Sequence, residues 1–120
     1  MRRTVCVDLD GVLAKYDTWK GLDNIGDPLP GAVQFTKDLA SFSDVMIYTT
    51  RCCEEMHSGY NAAMLEEIVR QWLDKWGFHY HKVWTGQGKP IFSAMIDDRA
   101  ISCDPQLHEA AYGTALARAS

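Results

Sequence analysis

The sequence contains no long uninterrupted run of apolar residues. A membrane-spanning helix needs roughly 20 such residues, and the apolar stretch that follows Arg3 is only about six residues long, too short for the core of a signal peptide. We therefore expect a cytoplasmic protein that has no membrane partner.

The sequence also has no surplus of basic residues. Its 120 residues include 12 Lys and Arg against 16 Asp and Glu, a net charge of -4, so a broad basic surface for duplex nucleic acid is not expected. A hydrophobic fraction of 47% and a charged fraction of 23% are typical of globular proteins and exclude a disordered or collagen-like chain. The length predicts a single domain, residues 1–120.

Cysteines with C-x-x-C spacing are absent. The four cysteines are Cys6, Cys52, Cys53 and Cys103. Their spacing does not match a zinc motif, and their density is too low for a disulfide-rich secreted scaffold. We interpret them as reduced thiols.

Apolar segments alternate with amphipathic ones along the chain. Four apolar segments are predicted as strands, at residues 4–9, 45–48, 78–84 and 91–96. A first helix is predicted to start at Asp27-Pro28 or Leu29-Pro30, with proline in its first turn, and residues 11–30 predict a long loop or small flap. This order predicts an α/β fold in which a parallel sheet has helices on both faces.

The clearest helical pattern runs from Asn61 to Trp76. Apolar residues recur at the spacing of an amphipathic helix, with Asn61 as the N-cap and Gly77 as the terminating residue. Both tryptophans of this pattern, Trp72 and Trp76, are predicted to pack in the core. A further helix is predicted over residues 104–115.

Polar residues stand where the predicted strands end. They are Asp8, Asp10, Thr49, Arg51, Asp97 and Asp98. In an open parallel sheet the carboxyl ends of the strands share one edge, where ligands bind. Carboxylates that converge there repel one another unless a cation compensates them, and Mg2+ accepts such oxygen ligands while leaving positions for a substrate phosphate. Lys89 would add a positive charge from a neighbouring loop.

Four sequence motifs occur together in a characteristic order. They read V-C-V-D-L-D-G-V at 5–12, I-Y-T-T-R at 47–51, G-K-P at 88–90 and M-I-D-D-R at 95–99. This set resembles the motifs of the haloacid dehalogenase-like (HAD) phosphohydrolase superfamily. The resemblance extends from the first strand to Arg99 and implies a Rossmann-like domain.

The resemblance assigns the covalent chemistry to two aspartates. It implies that Asp8 is the nucleophile, which attacks phosphorus and forms a transient aspartyl phosphate. It also implies that Asp10 is the general acid and base, which protonates the leaving oxygen and later deprotonates the hydrolytic water. An acid at the second position resembles phosphatases and phosphotransferases, and it disfavours a dehalogenase or an ion pump.

The resemblance also implies which residues contact the phosphate. Thr49 would donate its hydroxyl, Thr50 its backbone N–H, and Lys89 its ammonium group. Arg51 would reach a substrate phosphate or carboxylate, or would instead form an exposed salt bridge.

The same resemblance implies a magnesium site. An oxygen of Asp8, the backbone carbonyl of Asp10 and the carboxylate of Asp97 would bind Mg2+ directly, and Asp98 would act as an outer or water-mediated ligand.

The spacing between the motifs predicts a protein without the cap domain that many family members carry. About 38 residues separate Asp10 from Thr49, and a similar number separates Thr50 from Lys89. The helix and strand that the core needs fill each gap. Exclusion of water and choice of substrate would then depend on the 12–30 loop, on the 52–60 loop, on the substrate itself or on a partner subunit.

Three aromatic residues, Tyr16, Trp19 and Trp84, are expected near the opening of the site. They either stack on a base or sugar or pack the loop onto the sheet. The expected substrate is a phosphorylated small molecule such as a nucleotide or a sugar phosphate, and a short phosphorylated nucleic-acid end is a further candidate.

Two other functions share parts of this pattern. A receiver-like signalling domain has a similar size and a similar set of acids, Thr and Lys, but its phosphoacceptor aspartate follows the third strand, whereas this chain has Asp-x-Asp first and Asp-Asp last. A catalytically silent subunit that binds a phosphate ligand is the other alternative, and the presence of both Asp8 and Asp10 counts against it. The sequence therefore favours a Mg2+-dependent phosphatase.

Overall fold

A four-stranded parallel sheet forms the centre of the computed structural model. The structure describes residues 2–86 and 88–100, together with 116, 117 and 119. Its strands and α-helices are, in chain order, β1 (Arg3–Val7), α1 (Ala32–Ala40), β2 (Ser43–Ile47), α2 (Ala62–Trp76), β3 (Lys82–Val83) and β4 (Ala94–Ile96). Two short 3-10 turns between β2 and α2 span Thr50–Cys52 and Glu54–Met56. The strand order across the sheet is β3-β2-β1-β4 and every pair is parallel, which confirms the predicted α/β class.

The core lies between one face of the sheet and the two α-helices. Val5 of β1 pairs with Val45 of β2, and Val7 pairs with Ile47, so these four side chains lie on the same face. The same buried cluster includes residues of α1 and α2, namely Ala32, Leu39, Val69, Trp72 and Leu73. In the described part of the chain both α-helices therefore lie on one face of the sheet, whereas the sequence predicts helices on both faces. The helix predicted over residues 104–115 lies outside the described residues.

Helix α2 has the ends that the sequence predicts. The side chain of Asn61 accepts a hydrogen bond from a backbone N–H of the first turn at 2.9 Å, and Gly77 ends the helix with a φ of 78°. Trp72 is buried, as predicted, and its ring stacks on Phe78 at 5.0 Å. The prediction for Trp76 is wrong, because this residue is 40% exposed: the chain reverses at Gly77, and Phe78 takes the core position. No described helix is long and apolar enough to cross a membrane.

Helix α1 begins later than the sequence predicts. The backbone N–H of Leu29 donates to the carbonyl of Leu13 at 2.9 Å, and an isolated antiparallel bridge joins Pro28 to Ala14. This pairing holds the two prolines out of the helix, which begins at Ala32. Residues 11–30 otherwise form the loop that was predicted, and this segment is called the flap below.

Strands β3 and β4 are shorter than predicted. Strand β3 has two residues within the predicted range 78–84, and β4 has three within 91–96. Ile91 is 95% exposed, so the apolar pattern at that point does not reflect burial. Strand β4 nevertheless ends at Ile96, as the sequence predicts, so Asp97 and Asp98 lie directly beyond it; β3 ends one residue earlier than predicted.

Candidate active site

The carboxyl ends of three adjacent strands place predicted site residues at one edge of the sheet. Asp8 directly follows β1, Thr49 follows β2 by two residues, and Asp97 directly follows β4. Strand β1 lies between the other two. The backbone N–H of Asp8 also donates to the carbonyl of Ile96 at 2.9 Å, which continues the pairing of β1 and β4 into the site.

Three carboxyl groups meet at this edge. Oxygen atoms of Asp8, Asp97 and Asp98 all lie within 4.8 Å of one another, close enough for one cation to contact all three. Burial, a side-chain hydrogen bond with Asp97 and the negative charges of Asp97 and Asp98 raise the pKa of Asp8 to about 7, against the opposing effect of a hydrogen bond from the backbone N–H of Leu9. A divalent cation would relieve this repulsion, so the donor set fits a hard metal ion such as Mg2+.

Gly11 has no side chain, and this leaves room for Asp98 in the cluster. Its φ is 86°, a conformation that favours glycine. A Cβ at this position would overlap the carboxyl group of Asp98, so Asp98 packs directly against the Gly11 backbone. No role was predicted for Gly11 from the sequence; a glycine directly after an acidic pair at a strand end is the signal that could have identified it.

Asp10 and Arg51 form a buried ion pair. Arg51 Nε donates to Asp10 Oδ2 at 2.7 Å, and a terminal guanidinium nitrogen donates to Asp10 Oδ1 at 3.1 Å. The side chain of Arg51 is only 2% exposed. The expected salt bridge of Arg51 is therefore present but buried rather than exposed, and its nitrogens are bonded to protein oxygens rather than presented to a substrate.

The chain after β2 presents two threonines to the site. Thr49 caps the 3-10 turn, and its hydroxyl oxygen accepts a hydrogen bond from the backbone N–H of Arg51 at 3.2 Å. This bond leaves the hydroxyl proton of Thr49 available to donate to a ligand oxygen. Thr50 is exposed, and its carbonyl lies 3.0 Å from Nε2 of His57.

A cavity of about 750 Å³ opens at this edge of the sheet, a size that is typical of small-molecule sites. Six predicted site residues line it: Asp8, Asp10, Thr49, Thr50, Asp97 and Asp98. Two other predicted site residues, Arg51 and Lys89, are not among the lining residues. The structure thus brings together the carboxylates and the threonines of the predicted site.

Lys89 is not among the residues that line the cavity. Its ammonium group lies 5.4 Å from the centre of the Phe92 ring. The neighbouring Gly88 does line the cavity, so the backbone of this loop reaches the site. The contact of Lys89 with a phosphate stays a prediction.

The aromatic residues expected near the opening do line the cavity, namely Tyr16, Trp19 and Trp84. The ring of Trp19 lies 4.6 Å from the guanidinium carbon of Arg51 and stacks on His57 at 5.9 Å. These contacts join the flap to the chain that follows β2. Trp19 is also 47% exposed, so both of its predicted alternatives, packing of the flap and stacking on a ligand, stay predictions.

The cysteines of the described residues, Cys6, Cys52 and Cys53, are free thiols, as predicted; Cys103 lies outside that part. Burial raises the pKa of the Cys52 thiol to about 12. The thiolate is the nucleophilic form of cysteine, and this shift disfavours it.

The chain matches no protein-family model, no curated protein sequence and no solved structure. The fold and the site by themselves define a class: an α/β domain with a parallel sheet and a carboxylate-rich cavity at the carboxyl ends of its strands. The resemblance to the HAD superfamily rests on the four sequence motifs.

Proposed function

We propose that the protein is a Mg2+-dependent phosphatase that hydrolyses phosphomonoesters through an aspartyl phosphate on Asp8. One observation carries the proposal. The carboxyl groups of Asp8, Asp97 and Asp98 converge within 4.8 Å in a cavity that Asp10 and Thr49 also line. These residues come from three of the four motifs that resemble the HAD superfamily.

The carboxylate cluster is the proposed magnesium site. Asp8, Asp97 and Asp98, together with the backbone carbonyl of Asp10, would hold the ion through oxygen atoms, which are the ligands that Mg2+ prefers. Burial, together with the neighbouring Asp97 and Asp98, raises the pKa of Asp8, and a cation bound at this site would offset these effects. When bound, Mg2+ supplies Lewis-acid polarisation of the phosphoryl group and neutralises part of its charge.

Asp8 and Asp10 carry out the hydrolysis in two half-reactions. In the first half, an ionised oxygen of Asp8 bonds to phosphorus as the ester bond breaks, and the leaving oxygen takes a proton from Asp10. In the second half, the ionised Asp10 removes a proton from water, and the water oxygen attacks the aspartyl phosphate. The bond between Asp8 and phosphorus then breaks, which releases inorganic phosphate and restores both side chains.

The residues after β2 would bind the phosphoryl oxygens. The hydroxyl of Thr49 and the backbone N–H of Thr50 are the proposed donors, because charge that develops on these oxygens is stabilised by fixed hydrogen-bond donors. Lys89 is a further proposed donor, from the loop whose Gly88 lines the cavity.

The cavity supports a small phosphorylated substrate. Its volume of about 750 Å³ accommodates a nucleotide or a sugar phosphate, and Tyr16 and Trp84 offer aromatic surface beside the carboxylate cluster. A phosphorylated end of a short oligonucleotide would present the same chemical group. The net charge of -4 disfavours long nucleic acid.

The test is hydrolysis of p-nitrophenyl phosphate with and without Mg2+, using wild type, Asp8→Asn and Asp38→Asn. Asp38 is an exposed aspartate on α1 and provides a matched control. We expect Mg2+-dependent hydrolysis by wild type and by Asp38→Asn, and loss of hydrolysis in Asp8→Asn.

A broader panel includes nucleotides, sugar phosphates and 5'-phosphorylated oligonucleotides. Equal inactivity of wild type and Asp8→Asn across this panel would refute the proposal. In that case, stable labelling by acetyl phosphate would indicate a receiver-like domain, and tight binding of a phosphate ligand without turnover would indicate a silent binding subunit.

A further inference from the structure

Arg51 bonds to two separate parts of the molecule at once. One edge of its guanidinium group donates to both carboxylate oxygens of Asp10, at 2.7 and 3.1 Å. The remaining terminal nitrogen donates to the carbonyls of Gly21 and Leu22 in the flap, at 3.0 and 3.1 Å. Trp19, also in the flap, lies over the guanidinium at 4.6 Å. One side chain thus connects Asp10 to the flap.

The surroundings of Arg51 favour a positioning role over contact with a substrate. Four of the five N–H donors that a guanidinium carries are used in these hydrogen bonds. Asp10 lines the cavity while Arg51 does not, so Arg51 holds the carboxylate from the protein side. A two-bond fork fixes the plane of a carboxylate, which a single donor cannot do.

We propose that Arg51 is a positioning residue that couples Asp10 to the flap. The orientation of Asp10 depends on the contacts of Arg51 with Gly21 and Leu22, and the packing of the flap on Arg51 depends on Asp10 in return. Such coupling is reciprocal, because the same bonds are gained or lost from either side. The catalytic consequence rests on the proposed function, in which Asp10 is the general acid and base, whereas the coupling itself can be measured without any activity.

The flap offers a local probe of its own opening. Lys15 and Lys20 lie in it and are cleavage sites for trypsin. Gly26 is held separately, because its carbonyl accepts a hydrogen bond from the indole N–H of Trp72 at 3.1 Å. Loss of the Arg51 contacts should therefore loosen the part of the flap around Trp19 while its later part stays attached to α2.

The first experiment is limited trypsin digestion of full-length wild type, Arg51→Lys, Asp10→Asn and the double variant, with the cut sites identified by mass spectrometry. Arg51→Lys keeps the buried positive charge, and Asp10→Asn keeps the shape of the side chain, so both variants are expected to fold. We expect each single variant to raise cleavage after Lys20 by about threefold or more. Cleavage after Lys15 should change less, because the backbone N–H of Lys15 donates to the carbonyl of Asp27 at 2.8 Å in the attached part of the flap. The rise in cleavage after Lys20 in the double variant should be smaller than the product of the two single rises.

The second experiment measures the role of Asp10 as an acid. Protonation by Asp10 matters most for a poor leaving group, because a good one departs without the proton. In Arg51→Lys we expect kcat for an alkyl phosphate to fall about tenfold further than kcat for p-nitrophenyl phosphate, with little change in KM. A merely destabilising substitution would lower both rates by the same factor.

Two glycine substitutions provide a matched pair. Gly21 has a φ of 104° and its carbonyl accepts from Arg51, whereas Gly77 has a φ of 78° and ends α2 at the opposite edge of the sheet. Alanine strains the backbone at both positions. We expect Gly21→Ala to show the same two effects as Arg51→Lys: increased trypsin cleavage in the flap and a larger fall in kcat for an alkyl phosphate than for p-nitrophenyl phosphate. Gly77→Ala should show neither effect.

The outcomes separate this proposal from the proposed function. Additive effects on cleavage in the double variant, or unchanged cleavage in Arg51→Lys, would overturn the coupling whether or not the protein is active. A raised KM with unchanged kcat in Arg51→Lys would show that Arg51 contacts the substrate directly, which also overturns it. Coupled cleavage in a protein that hydrolyses no phosphoester would support the coupling and refute the phosphatase.

Discussion

Oxygen atoms of the Asp8 and Asp97 carboxyl groups lie within 4.8 Å of each other at the point where two neighbouring parallel strands end. Burial of Asp8 and the proximity of Asp97 and Asp98 raise the pKa of Asp8 to about 7. Both effects disfavour the ionised form of Asp8. A cation held between the two carboxyl groups would offset them.

The first prediction concerns stability against pH in metal-free protein. The ordinary pKa of Asp8 is 3.8 and its folded value is about 7, so the folded chain binds more protons than the unfolded chain between these values. The contribution of Asp8 to stability therefore falls as pH rises through this window. We expect Asp8→Asn to exceed wild type in Tm by about 3 °C or more near pH 8, and to match it near pH 4.

With excess Mg2+ near pH 8, we expect wild type to have a higher Tm than Asp8→Asn. A ligand that binds only the folded state raises Tm according to its concentration and affinity, and Asp8→Asn removes a ligand oxygen with its charge. Thermal melts near pH 8 with EDTA or excess Mg2+ measure both effects. A wild type that shows no rise in Tm with Mg2+, or an Asp8→Asn variant that shows the same rise, would contradict the proposed metal site.

The second prediction concerns the packing of Asp98 against Gly11. Gly11→Ala places a methyl group where the carboxyl group of Asp98 lies and strains a backbone with a φ of 86°. The conformational strain costs about 1–2 kcal/mol, and displacement of Asp98 should also abolish the rise in Tm with Mg2+.

The control for Gly11 is Gly31→Ala. Gly31 has a similar φ of 82°, but no atom lies within 4 Å of a Cβ at that position. We expect this variant to lose stability while its response to Mg2+ stays at the wild-type level. Equal responses of the two alanine variants would show that the contact between Gly11 and Asp98 does not support metal binding.

The third prediction concerns the hydroxyl of Thr49. Thr49→Val keeps the shape of the side chain but removes the proposed donor to the phosphate, and we expect inhibition by inorganic phosphate to weaken and kcat/KM to fall, each by about tenfold or more. Thr49→Ser restores the hydroxyl and should recover most of both. Steady-state assays with p-nitrophenyl phosphate measure the two quantities, and a Thr49→Ser variant as impaired as Thr49→Val would point to lost packing rather than a lost hydroxyl.

The fourth prediction concerns a hydrogen bond at the amino end of the sheet. The backbone N–H of Val45 donates to Nδ1 of His81 at 2.9 Å, so the ring replaces a strand carbonyl just before β3. His81→Ala should lower the free energy of unfolding by about 1–3 kcal/mol, since a partly buried donor loses its acceptor. Denaturation by urea measures the change, and activity should stay at the wild-type level.

His79→Ala is the matched control for His81. The His79 side chain is exposed, and only its backbone N–H is bonded, to the hydroxyl of Thr36 at 3.2 Å. This variant should unfold like wild type. Equal losses in the two histidine variants would show that the ring of His81 contributes nothing specific.

Local patterns predicted the elements with strong periodicity and clear caps. Helix α2 begins after Asn61 and ends before Gly77, as expected, because capping depends on residues adjacent in sequence. The start of α1 could not be predicted in this way. Pro28 and Leu29 are suited to a first helical turn, but they pair with residues of the flap that lie about 15 positions earlier, and this longer-range pairing prevails.

Only part of the site could be predicted from the sequence. The sequence predicted that Asp8, Thr49 and Asp97 would meet, because the ends of adjacent parallel strands must share an edge. It did not predict the partners of Arg51 or Lys89. Both have long, flexible side chains whose positions depend on which acceptors or rings the fold places within reach.

By itself, the sequence determined the α/β class, the caps of α2 and the edge at which the polar residues gather, since these follow from periodicity and from the polarity of strand ends. Only the tertiary structure decided that Arg51 faces Asp10 and the flap, that Asp98 rests on Gly11 and that Trp76 stays exposed. These contacts join segments that are distant along the chain. Their geometry depends on packing in the folded protein, which local sequence patterns do not predict.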